Sequence, residues 1–192
     1  MQTISETLHL EVSKDAACTV LSNIELLFRL SPHWSLKELK TCEGDKRSEV
    51  TLEYYGRDVA EKMSIEGPRS TPDGTISFMV AMSKVREIHF HLEKAGNRGI
   101  ALTQQLVIAE ENEGVAWGTR AELIFWLRSI GAYLLLADGR TLYRRLFRKF
   151  MDKVWLRLTL PERNMAIIMV KISIVEFALL LITVLFWNTF IN

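Results

Sequence analysis

Three polar residues fall where strand alternation turns side chains inward. Glu61 shares parity with Val59, Met63 and Ile65, Arg86 with Ile88, Phe90 and Leu92, and Gln104 lies between Leu102 and Leu106. A buried charge without a partner is very costly, so such residues need partners or a wet cavity. One reading is a cavity in which they fix a ligand's polar end, Arg86 being suited to a carboxylate or phosphate. The alternatives are a bulge or register slip that turns them to solvent, or a structural Glu61–Arg86 pair. His89 and His91 share a strand face, as a metal pair would, but Glu87 and Glu93 share it too and no third ligand stands nearby. They read as surface histidines. Cys18 and Cys42 have no recognisable activating neighbour, and two cysteines make no disulfide framework. Gly56, Gly96 and Gly99 read as hairpin turns rather than a phosphate loop. These residues form no catalytic constellation, and no metal or cofactor is expected.

A second group of residues is basic. Arg144, Arg145, Arg148 and Lys149, with Lys153, fall on one helical face, opposite Tyr143, Phe147, Phe150 and Trp155. A nucleic-acid patch needs aromatic residues among its bases, so no nucleic-acid partner is expected. A membrane-surface cluster sitting on anionic headgroups fits, as does plain topogenic charge. The chain total conceals this group: 24 Lys+Arg against 23 Asp+Glu in 192 residues give +1. Through Gly139 there are 15 basic and 20 acidic residues; from Arg140 onward there are 9 and 3. A uniformly basic binder is excluded, and 48% hydrophobic residues exclude wholesale disorder.

From Met165 to Ile191 the chain runs mostly apolar for 27 residues, interrupted by only two charges, Lys171 and Glu176. A spanning helix needs about 20 such residues. Phe186, Trp187 and Phe190 suit an interfacial belt, and five residues follow Trp187. The N-terminal stretch carries Glu6 and Glu11 and has no apolar core, so it is no signal peptide. The expectation is a single-pass C-terminal anchor with residues 1–160 cytoplasmic, because the flanking bases lie on that side. Within the span, Ser173, Glu176 and Thr183 share a stripe that suits docking on another transmembrane helix, in a homodimer or a larger complex.

The elements that position these residues are legible by period. Leu8, Leu10 and Val12 alternate as a strand. Ser13-Lys14-Asp15 then starts a helix through Val20, Ile24 and Leu27 that Pro32 stops. Six further strands follow, near Leu36–Cys42, Val50–Tyr54, Val59–Ile65, Ile76–Val80, Ile88–Leu92 and Ile100–Ile108, with a turn at Pro72-Asp73-Gly74. Thr119 and Glu122 fit a capping box ahead of Leu123, Leu127, Ile130 and Leu134, although residues 115–126 also admit an eighth strand. Asp138-Gly139 breaks or kinks this helix before a basic amphipathic helix over 140–160. Residues 161–164 read as a short linker and 165–191 as the anchor.

Strand, helix, six antiparallel strands and a long helix resemble the START-like superfamily, which includes polyketide cyclases and birch-pollen allergens. The segment Leu8-His9-Leu10-Glu11-Val12-Ser13 through Leu30-Ser31-Pro32-His33-Trp34 carries the resemblance best. It implies an α+β helix-grip fold, with a seven-stranded antiparallel sheet around a long C-terminal helix and an apolar cavity between them. The transmembrane helix is an addition to that pattern. It further implies a hydrophobic ligand such as a lipid, isoprenoid or quinone. Tyr54, Met63, Phe78, Phe90 and Leu106 would line the cavity, with Glu61, Arg86 and Gln104 as polar contacts. The alternatives are a non-catalytic accessory subunit of a membrane complex, and a cyclase-type enzyme, for which only Glu61 and Arg86 offer a polar pair. If the anchor stripe docks on a second helix, Glu176→Leu reduces the native size measured in mild detergent. An unchanged size removes the docking role.

Overall fold

The computed structural model describes residues 1–41, 47–54, 60–95, 99–109, 119–139 and 141–190. It divides into two compact units, Met1–Arg157 and Leu158–Asn192. In the first, β1 (Gln2–Leu10) alternates as expected but starts five residues before Thr7, pairing from Gln2↔Ile108 to Leu10↔Ile100. The one helix expected next is two. α1 (Lys14–Leu21) is capped by the Ser13 hydroxyl. α2 (Ile24–Arg29) is capped by Asn23, whose side-chain oxygen accepts from the Leu26 amide at 3.0 Å. A short amide side chain competes for local backbone groups, so Asn23 restarts the helix instead of continuing it.

The strands β2 (Trp34–Thr41), β3 (Arg47–Tyr54), β4 (Ala60–Ser70), β5 (Thr75–Ala81), β6 (Val85–Ala95) and β7 (Gly99–Ile108) follow. They form one antiparallel sheet in the order β1-β7-β6-β5-β4-β3-β2. Gly74, at φ +96°, closes the β4–β5 turn where Pro72-Asp73-Gly74 places it. The Thr71 hydroxyl and Thr75 amide donate to Asp73 there and hold its carboxyl below the ordinary range. The sequence-read turns at Gly56 and Gly96, and Cys42, lie outside the described residues.

α3 (Arg120–Ala137) is the helix the sheet grips. Its capping box forms as expected: Thr119 Oγ1 accepts from the Glu122 amide, and Glu122 accepts from the Thr119 amide at 3.0 Å. From Thr119 onward the eighth-strand alternative is therefore excluded; residues 115–118 lie outside the described set. The helix packs on β1 at Gly131, where an added Cβ would sit 2.4 Å from Leu8 Cδ2. It ends at Asp138, which accepts a 2.7 Å bond from the Ser13 hydroxyl and ties both helix ends of the unit together.

α4 (Leu142–Lys153) starts at Thr141 and is shorter than the expected 140–160 helix. Val154 leaves helical geometry at φ −120°, ψ −66°, and Trp155–Arg157 form a 3₁₀ turn that buries Leu156. Burial of that leucine outweighs continued helical period.

In the second unit, α5 (Leu160–Phe190) is already helical through residues 161–164, which the sequence reads as a short linker. Pro at a first-turn position loses no helical hydrogen bond, and Glu162 accepts from the Thr159 amide at 2.7 Å as a cap. Leu160–Trp187 is long and apolar enough to cross a membrane.

The tight seat of Gly131 carries a prediction. Gly131→Val overpacks the helix–strand contact and lowers unfolding free energy by ~1–3 kcal/mol, read as a lower urea midpoint.

Candidate ligand-binding site

The inner face of the sheet is a set of aligned rows. Ile4, Leu106, Ile88 and Phe78 lie side by side across β1, β7, β6 and β5. The adjacent row is Glu6, Gln104, Phe90 and Ile76. Above them α3 lowers Trp126 into the interior. Its ring meets Trp34 edge-on at 5.3 Å, Phe28 at 5.6 Å and Phe90 at 6.3 Å. Its indole N–H donates to the Leu27 carbonyl at 2.8 Å, joining α3 to α2. Trp34 continues edge-on to Tyr54 at 6.1 Å. An aromatic chain thus runs from Phe90 on β6 to Tyr54 on β3.

The expected lining residues Tyr54, Met63, Phe78, Phe90 and Leu106 are all buried in this core. Phe78 and Phe90 meet edge-on at 6.3 Å. The three polar candidates separate. Gln104 is 0% exposed, and among the described residues neither its carboxamide oxygen nor its nitrogen has a hydrogen-bond partner. Glu61 is half-buried and accepts a 3.0 Å bond from the Tyr54 hydroxyl, so each end of the aromatic chain carries a polar group. Arg86 is exposed, which corrects the inward placement expected for it. A register shift between Val85 and Glu87 puts one extra residue on β6, so Val85 and Ile88 face in while Arg86 turns out. The bulge spares the guanidinium the cost of burial. It also dissolves the Glu61–Arg86 pair.

Glu6 is inward on β1 beside Gln104 and forms a 2.5 Å ion pair with Arg120 at the start of α3. Its signal in the sequence is parity: Glu6 alternates in step with Leu8 and Leu10 on a strand that begins at Gln2. His89 and His91 lie on the outer face, their Nε2 atoms 2.8 Å from Glu87 and 3.1 Å from Glu93. Among the described residues no cluster of three His, Cys, Asp or Glu side chains converges on a metal position.

A concavity of about 370 Å³ opens between α1, α2, α3 and α4, lined by residues that include Asn23, Arg29, Tyr133, Arg148 and Asp152. Tyr133 donates to Asp152 at 2.6 Å along its wall. Burial, then the hydrogen bond and negative charge of Asp152, push the Tyr133 phenol above its ordinary range.

No protein-family model and no curated protein matches the chain. Solved structures do. A conserved protein from Geobacillus kaustophilus aligns with TM-score 0.55 at 13% identity, over 72% of this chain and 98% of that one. A START superfamily protein from Mycobacterium smegmatis aligns with TM-score 0.51 at 13% identity, over 69% and 96%. A Thalictrum norcoclaurine synthase point mutant, in complex with a transition-state analogue, aligns with TM-score 0.52 at 14% identity, over 72% and 96%. The strand order, the gripped helix and these likenesses together define a START-like, helix-grip fold. The chain carries that fold together with one long apolar C-terminal helix.

Two predictions arise from these polar groups. Gln104→Leu removes two buried polar atoms and raises stability by ~1–3 kcal/mol in denaturant unfolding. Tyr133→Phe costs about 1 kcal/mol at neutral pH. Because the folded phenol holds its proton more tightly than the unfolded one, its contribution is complete below the ordinary phenol pKa of about 10 and is lost as pH climbs above it. The variant's stability curve therefore falls less steeply than the wild type's in that alkaline window.

Proposed function

We propose that the unit Met1–Arg157 binds a hydrophobic ligand with one polar end, of the lipid, isoprenoid or quinone class, between the sheet and α3. The observation that carries this reading is Gln104. A carboxamide with one acceptor and two donors, buried and without a partner among the described residues, carries a cost in stability that an apolar residue avoids. A ligand carbonyl or hydroxyl would satisfy it, with Phe90 and Leu106 beside it as apolar walls and Tyr54 and Glu61 as polar groups further along the aromatic chain. The norcoclaurine synthase complex supports the reading by showing a small organic molecule bound in a protein of this fold. The cyclase-type alternative loses its polar pair with the exposure of Arg86.

The helix Leu160–Phe190 would hold this module at a membrane, with the basic residues preceding it on the cytoplasmic side. A second reading, an accessory subunit of a membrane complex, draws on Glu176, an exposed carboxylic acid on an otherwise apolar helix face with Ser173. Thr183 adds less to that stripe, because its hydroxyl donates to the Leu179 carbonyl of its own helix.

The test is mass spectrometry of the full chain extracted gently from membranes. An apolar molecule with a single polar group co-purifies with the wild type and is depleted from Gln104→Leu, even though that variant is the more stable. Purification of the wild type without any such molecule rejects the reading.

A further inference from the structure

α4 is inverted relative to what its sequence pattern expects. At about 100° per residue, Leu142, Tyr143, Leu146, Phe147 and Phe150 occupy one half of its circumference, and Arg144, Arg145, Arg148, Lys149 and Asp152 the other. The usual arrangement turns the apolar half onto the domain. Here the polar half, with the part-buried Met151 at its edge, supplies the contacts: Asp152 accepts from Tyr133 of α3, and Arg148 donates to the Ala137 carbonyl at 3.4 Å. The apolar half faces away. Leu142 is 74% exposed, Tyr143 72% and Leu146 58%. Tyr143 stacks on Phe147 at 6.1 Å, and Phe147 meets Phe150 at 6.1 Å, so the face is an ordered aromatic ladder in the open.

We propose that α4 lies in the interface plane of an anionic bilayer, its aromatic ladder seated at the boundary of headgroups and acyl chains. Three observations select this occupant. The face is long and narrow with aromatic and leucine side chains, the composition of helices that sink about 5–10 Å into the interface. Bases flank it on both edges, Arg144 on one and Lys149 with Lys153 on the other, where long side chains can snorkel to phosphates. Only residues 154–159 separate α4 from α5, so an inserted α5 keeps the end of α4 within about 20 Å of the membrane surface. The last argument rests on the membrane reading of α5; the first two do not.

The experiment uses the full chain with Cys18 and Cys42 changed to Ser and one environment-sensitive fluorophore, on Leu146→Cys or on Leu180→Cys. Each labelled protein is reconstituted into vesicles of phosphatidylcholine alone or mixed with phosphatidylglycerol. In the anionic vesicles the label at 146 brightens several-fold and is quenched by shallow nitroxide lipids, while the label at 180 is quenched by deep ones. Changing Arg144, Lys149 and Lys153 to Gln removes the difference between the two lipid mixtures at position 146. A label at 146 that stays water-like while 180 is lipid-embedded overturns the α4 proposal and leaves the anchor standing. A water-like label at 180 with a lipid-quenched 146 supports α4 and rejects the anchor. A label at 146 shielded in detergent, increasingly so with protein concentration, assigns the face to a second copy and overturns the proposal.

Discussion

The indole of Trp126 is the contact on which the rest of this domain is assembled. One face of α3 is held against the sheet, packing most closely along β1. A single large ring bridges the gap, reaching Phe90 on β6, Trp34 on β2 and Phe28 on α2. Its N–H finds the Leu27 carbonyl, so the ring is buried with no polar group stranded. Gly131, one and a half turns later, lets the same helix close on Leu8 and Leu10. Large and small residues on one helix thus set its distance from the sheet at two points, and the inner rows of the sheet inherit their ceiling from it.

Within that frame, the cost of burying polar groups sorts the candidates. Arg86, a full charge, is carried out of the interior by a bulge. Glu61 stays at the edge, half in water and bonded to Tyr54. Gln104, which is neutral, is the group that remains fully inside. The order follows the desolvation penalty, largest for the ion that left and smallest for the amide that stayed. A neutral amide is also the group best suited to meet a ligand's carbonyl or hydroxyl without demanding a counter-charge.

The basic C-terminal part obeys a different balance. In α4 a hydrogen bond from Tyr133 and the contact of Arg148 with Ala137 hold the polar half against the domain, and the apolar half is left outward. An outward apolar face is unfavourable in water and favourable at an apolar–polar interface. The near-neutral total charge of the chain is the sum of an acidic stretch through Gly139 and a basic stretch from Arg140 onward.

The sequence by itself determined what depends on local period and local chemistry. Seven alternating runs, the Thr119–Glu122 capping box, the Pro72-Asp73-Gly74 turn and the long apolar terminus were all legible, because each is a pattern within about ten residues or a simple length of chain. So was the inward side of the strands, and with it the burial of Tyr54, Met63, Phe78, Phe90, Gln104 and Leu106. What only the tertiary structure decided was where register and packing intervene. One inserted residue reversed Arg86, Leu156 stopped α4 short, and Tyr133 with Asp152 turned that helix inside out. In each case pairing or packing between elements decides the outcome, and period alone carries no record of it.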